Sequence, residues 1–114
     1  MGLDITLRTK NHEIDFRKHN YLFRWVETQV GEIENCKEYE LTKVQVADLL
    51  ARVNAVLADH GKAEELLPTQ AGFFFGGTRY DDWYFDDLEY AKENLTDMLA
   101  DMEDGETATF WSWW

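Results

Sequence analysis

Two adjacent aspartate pairs, Asp81-Asp82 and Asp86-Asp87, stand in the stretch AGFFFGGTRYDDWYFDDLEY. Clustered carboxylates are the ligands that hard divalent cations take, and prenyl-transfer enzymes use aspartate-rich helical motifs, so a metal-dependent hydrolase is one chemistry these residues could serve. Such a site needs further ligands and a pocket, and a chain of 114 residues has little room for a buried polyprenyl group. GGTRYDD is not a phosphate loop, because it lacks both the spacing of the dinucleotide fingerprint and the Lys-Ser/Thr of the P-loop. Asp81 and Asp82 would also occupy the helix N-terminus that should receive an anion. Arg79 therefore reads as an ion-pair partner for these aspartates. His12, His19 and His60 are too scattered for a metal triad, and Cys36, in the polar turn ENCKE, would need a neighbouring histidine and an orienting group to act as a nucleophile. No catalytic residue, metal ligand or cofactor is assigned, and the chain is not expected to be an enzyme.

The same stretch sorts differently by helical angle, at about 100° per residue. Tyr84, Leu88, Ala91, Leu95, Met98, Leu99 and Met102 fall on one side of a helix expected over about Asp81 to Glu103, with Thr78 or Asp81 as its N-cap. Opposite them lie Asp82, Asp86, Glu89, Glu93, Asp97, Asp101 and Asp104, within an arc of about 120° and along roughly 33 Å of axis. Trp83 and Tyr90 flank this row. A charge run usually marks a solvated face. Here the spacings Asp82 to Asp86, Glu93 to Asp97 and Asp97 to Asp101 put like charges together, and acids continue to the helix end whose dipole disfavours them. Local penalties kept in this number suit a binding surface as well as solubility.

The elements that would position these residues follow from periodicity. LDITLR alternates, placing Leu3, Ile5 and Leu7 on one face of a strand. From about Glu13 to Val30, Phe16, Leu22, Phe23, Val26 and Val30 suggest a first helix. EYEL is a candidate short strand, and Thr42 with Gln45 forms a capping box that opens a second helix. Val46, Leu49, Leu50, Val53, Val56 and Leu57 make its core stripe until Gly61. KAEELLPTQ holds one helical turn before Pro68, GFFFGG reads as a short buried strand, and Gly105 ends the acidic helix. ETATFWSWW alternates well enough to pair with the N-terminal strand. The expected fold is α+β. About three helices pack on a small antiparallel sheet of the N- and C-terminal strands with one or two short strands.

Charge limits the partners. The chain carries 11 basic and 23 acidic residues, a net −12, and its 17 aromatics exclude a disordered acidic tail. From Thr78 onward, 2 basic residues face 11 acidic ones, or −9. Direct binding of nucleic acid or anionic lipid is therefore disfavoured, while a basic protein partner is allowed. The length fits a single acidic globular domain over residues 1–114. One cysteine allows no intrachain disulfide, and no apolar run reaches a membrane span, so a reducing cytoplasm is expected. Gly2 with Thr6 matches a myristoylation pattern, though the alternating strand accounts for the same residues.

FRKHNYLFRWV, LLPTQAGFFFGGTRYDDWYFDDL and the aromatic C-terminus resemble a family of small uncharacterised proteins of bacteriophages and prophage-bearing bacterial genomes. Its members open with Met-Gly-Leu-Asp. They carry a Trp-Arg-Lys-x-Asn-x-x-His-x-Trp-like segment and a Leu-Pro-Thr-x-x-Gly-Phe-Phe-Phe-Gly stretch followed by Tyr-Asp-x-Trp-Tyr. Here Phe16 replaces the leading Trp and Phe23 stands at the usual His, so no role attached to that histidine carries over. The resemblance implies a phage-borne accessory protein in the host bacterial cytoplasm and brings no activity with it. Combined with the acidic row, it leads to the expectation of a binding protein that occupies the basic groove of a host nucleic-acid-binding defence enzyme. Such a protein would act as a DNA mimic of the anti-CRISPR or anti-restriction type. The partner face would be Asp82, Asp86, Glu89, Glu93, Asp97, Asp101 and Asp104 with Trp83 and Tyr90. The alternative is a small-ligand, nucleotide-type binding or sequestering protein, with Phe74, Arg79, Tyr80 and Trp83 around a planar ring. The oligomeric state is left open, a homodimer being one option.

Overall fold

The computed structural model describes residues 2–72 and 75–114. Strand β1, Asp4–Arg8, and strand β4, Thr107–Trp113, pair antiparallel at the centre of a four-stranded sheet of order β2-β1-β4-β3, as the alternation in both segments predicts. Ile5 stands opposite Ser112 and Leu7 opposite Phe110. Strand β3, Glu38–Thr42, adds to β4 with Leu41 facing Ala108. Leu3, Ile5, Leu7, Ile14, Phe16, Leu41, Ala108 and Phe110 are all buried on one face.

The helix expected from about Glu13 to Val30 is two elements instead. Glu13–Arg17 is strand β2, hairpinned onto β1 with Ile14 opposite Leu7 and Phe16 opposite Ile5, and helix α1 runs only from Asn20 to Val30. EIDFR alternates strictly, so Ile14 and Phe16 point into the core while Glu13, Asp15 and Arg17 face out. Lys18 makes the break at φ 59, a left-handed conformation that only the surrounding structure can hold in a non-glycine residue.

Helix α2, Lys43–Ala58, begins at the expected capping box: Gln45 N donates to Thr42 Oγ1 at 3.1 Å and Thr42 N donates to Gln45 Oε1 at 2.9 Å. Val46, Leu49, Val53 and Val56 are buried, whereas Leu50 and Leu57 lie at the margin. A 3-10 turn at His60–Lys62 leads to the single turn α3, Ala63–Leu66. Helix α4, Asp82–Asp101, packs on α2 with Tyr84, Leu88, Ala91, Leu95 and Met98 inward, and together with the apolar face of the sheet they enclose one core. Among the described residues no helix is long and apolar enough to cross a membrane.

Between α3 and α4 the described residues form no regular element. Of the strand expected over GFFFGG, Phe73 and Phe74 lie outside the described residues, and Gly72, Phe75, Gly76 and Gly77 on either side are in no strand. This loop is fixed by a side chain from the start of α1. The Asn20 carboxamide, only 4% exposed, donates from Nδ2 to Phe75 O at 3.0 Å and to Gly77 O at 2.9 Å, and its Oδ1 accepts from Gln70 N at 3.1 Å. Gly76 has φ 87, and a Cβ there would lie 3.3 Å from Lys18 Cβ, so the loop and the β2–α1 turn approach backbone to side chain. Thr69 Oγ1 donates to Thr78 O at 2.9 Å, closing the loop on itself, and Phe75 sinks between Phe23 and Trp114. An Asn20→Asp variant would set a carboxylate against two carbonyl oxygens and lose both donors. It is expected to lower unfolding free energy by roughly 2–3 kcal/mol, read by urea denaturation, and an unchanged midpoint would show that the clamp contributes nothing.

Candidate functional site

The clamp creates a cleft of about 770 Å3 where the β2–α1 turn, the 69–81 loop and the first turns of α4 meet. Arg17, Lys18, Asn20 and Tyr21 line it from one side, Thr69 and residues 76–79 from the second, and Asp81, Trp83, Tyr84 and Asp87 from the third. Residues 17–21 and 76–87 therefore face each other across this space.

Three cations and two carboxylates line the cleft, a local balance of +1 in a chain of −12. Among the described residues Arg17, Lys18 and Arg79 have no carboxylate within ion-pair distance, although the chain's 23 acids outnumber its 11 bases. Arg79 is thus not the ion-pair partner that its neighbours Asp81 and Asp82 suggest. Asp81 is committed instead to α4, its Oδ1 accepting from Tyr84 N at 3.2 Å as the N-cap. Among the described residues the amino end of α1 has neither a side-chain cap nor an acid in its first turn; its Asn20 amide donates to Lys18 O and its Leu22 and Phe23 amides to His19 O, while Asp87 stands 3.5 Å from the buried His19.

Beneath the cleft lies a chain of polar groups. His19 is 4% exposed, with Nδ1 3.0 Å from Tyr21 Oη and Nε2 3.5 Å from Asp87 Oδ1. The pattern assigns the proton to Nε2, facing the carboxylate, while the Tyr21 hydroxyl donates to Nδ1. Burial lowers the His19 pKa to about 4, so at neutral pH this is a neutral imidazole beside a carboxylate and not an ion pair. Burial, then Asp86 and Asp81, raises Asp87 to about 6. Burial, with Asp87 and Tyr84 adding to it, raises Tyr21 well above the usual phenol range and keeps it a neutral donor. The Tyr84 hydroxyl donates to Leu67 O at 2.8 Å, and its pKa is raised by burial first and by Tyr80 second.

The residues singled out from sequence fall into two groups. Asp82, Asp86, Glu89, Glu93 and Asp97 are exposed along α4 and, among the described residues, have no cation within ion-pair distance. Asp101 is bonded by His12, and Asp104, beyond the helix end, meets Lys43 Nζ at 3.5 Å. Tyr90 is partly exposed, but its hydroxyl donates to Asp15 O at 2.8 Å and its ring packs on Phe16 and His19. Trp83, 80% exposed, and Arg79 both line the cleft. Tyr80 stands beside them, its ring edge on Tyr84 and its hydroxyl accepting from Thr69 N at 3.3 Å, while Phe74 lies outside the described residues. The four aspartates considered for a metal do not gather: Asp81 caps α4, Asp87 meets His19, and Asp82 and Asp86 face solvent. Among the described residues no three His, Cys, Asp or Glu side chains come together for a metal. Sequence reasoning missed Arg17, Lys18, Asn20 and Tyr21 as site residues. The cue available was RKHN, two cations and an asparagine at a helix start.

Because Asp87 has a folded pKa above its ordinary value, its stabilising protonation is complete below about pH 3.8 and is lost as pH rises through about 6. Asp87→Asn is expected to be more stable than the parent at pH 7, with the gap closing below pH 4, as thermal melts across that range would show. Equal melting differences at both pH values would contradict the cause assigned. No protein-family model, curated protein or solved structure matches the chain, so the reading of this cleft rests on its own geometry.

Proposed function

We propose that the protein binds, and by binding sequesters, a small anionic ligand in the cleft between the β2–α1 turn and the start of α4. One observation carries this reading: Arg17, Lys18 and Arg79 all line the cleft and, among the described residues, have no carboxylate within ion-pair distance, in a strongly acidic chain. Unpaired cations around a concave site stay hydrated and repel each other until an anion arrives, which is the arrangement a receptor uses and a surface optimised only for stability avoids. The volume lies within the range of small-molecule sites. A thermal-shift panel of anionic metabolites at low salt is expected to contain stabilising ligands whose effect weakens with added salt and disappears in an Arg17→Glu, Arg79→Glu double variant. A flat response of the parent protein to every anion would overturn the reading.

A second reading is favoured by a different observation, the five exposed carboxylates Asp82, Asp86, Glu89, Glu93 and Asp97, which have no cation within ion-pair distance among the described residues and spread over roughly 22 Å of α4. On this reading the protein is a phage-type product that presents α4 to the basic groove of a host nucleic-acid-binding enzyme, in the manner of a DNA mimic. The face is now narrower than the sequence suggests, since His12 and Lys43 engage Asp101 and Asp104 and Tyr90 turns its hydroxyl to β2. Capture of a basic partner from host lysate should be lost at high salt and in a variant with Asp82, Asp86, Glu93 and Asp97 changed to Lys. Undiminished capture by that variant would rule the acidic face out.

A further inference from the structure

We infer that the ligand class of the cleft is a nucleoside phosphate, its phosphate beside the β2–α1 turn between Arg17, Lys18 and Arg79 and its base against Trp83. This rests on the anion-binding reading of the same cleft and adds to it the chemistry and orientation of the ligand.

The phosphate end follows from where positive potential is left uncommitted. Of the two helices that begin at the cleft, α4 is closed by the Asp81 cap, whereas α1 has no side-chain cap and no acid in its first turn. The Asn20, Leu22 and Phe23 amides of α1 are bonded to backbone carbonyls, so the charge comes from side chains: two exposed cations on the same turn, Arg17 at the end of β2 and Lys18 at φ 59, and Arg79 from across the cleft. Three cations exceed what one carboxylate needs and match the two charges and three oxygens of a phosphate monoester. Gly76 and Gly77 remove side chains from the facing wall. A Cβ built at Gly77 would meet nothing within 4 Å, so a ligand can approach the backbone there.

The ring end follows from Trp83. An indole that lines a cleft and is nevertheless 80% exposed contributes little to the core, which α4 reaches through Tyr84 and Leu88 on its other side. Exposed aromatic faces beside a cationic groove are the platforms on which bases stack. A mononucleotide fits and a strand does not, because the next carboxylates along the helix are Asp82 and Asp86, which face solvent and would repel further phosphates.

The test is calorimetric titration of the full chain with inorganic phosphate, adenosine, AMP, GMP and UMP, together with isophthalate as an aromatic anion without phosphate. At least one of the nucleotides should bind about tenfold or more tightly than either phosphate or adenosine, the linkage advantage of occupying both ends. Lys18→Asn, which keeps a residue that tolerates a left-handed backbone, and Arg79→Gln, at an exposed position, should each weaken nucleotide binding about tenfold. Trp83→Ala should bring nucleotide affinity down toward that of phosphate. Circular dichroism and melting temperature confirm that each variant is folded. Isophthalate or phosphate binding as tightly as every nucleotide would overturn the nucleoside phosphate assignment while leaving an anion-binding cleft. Absence of binding by every anion would overturn the reading beneath it as well.

Discussion

The carboxamide of Asn20 is the constraint on which the upper half of the molecule depends. Its three hydrogen bonds reach residues 70, 75 and 77, about fifty positions away in the chain, and use both donors and one acceptor of the side chain. A loop without its own secondary structure has backbone groups that must find partners elsewhere. Here one buried amide supplies them, and in doing so it holds the loop against the β2–α1 turn so that a space remains beside it. The cleft is therefore a by-product of satisfying backbone polarity, and its shape is as fixed as that amide.

Charge is arranged around this frame with a clear division. Along α4 the carboxylates stand apart in water, where each costs its neighbours little. At the cleft the balance reverses, and the two acids present are both occupied, Asp81 with a helix end and Asp87 with His19. Burial keeps His19 and Tyr21 neutral, so the floor under the cations is polar but uncharged at neutral pH, apart from Asp87. The positive character of the site thus depends on what its acids are already bonded to as much as on the cations themselves.

Much of the fold was legible because it rests on local rules. Alternation in LDITLR and TATFWSW gave the two central strands, and Thr42 with Gln45 gave the start of α2 by the reciprocal bonds that a capping box demands. The β1–β2 hairpin was not legible, since Phe16 lies by coincidence one turn-pair before Phe23, in phase with the apolar stripe of α1. The break falls on Lys18, a residue type with no preference for the left-handed backbone it adopts. The acidic face of α4 could be drawn from helix geometry, but its losses to His12 and Lys43 come from distant elements. The cleft was hidden for the same reason: its walls come from three separated segments, and the residue that joins them, Asn20, reads in sequence as an ordinary helix start.

The pairing of β1 with β4 sets how this chain can reach its native state. The two strands at the middle of the sheet are separated by about a hundred residues, with β3, α1, α2 and α4 between them. Only the β1–β2 hairpin and the helices can form from local contacts, and an isolated hairpin is marginal in water. During synthesis β1 must therefore wait, one edge unpaired, until β4 has been made, and closing so long a loop is an entropic cost that precedes any reward from the core. Folding should accordingly be late and concerted, with the helices poised before the sheet that unites them exists.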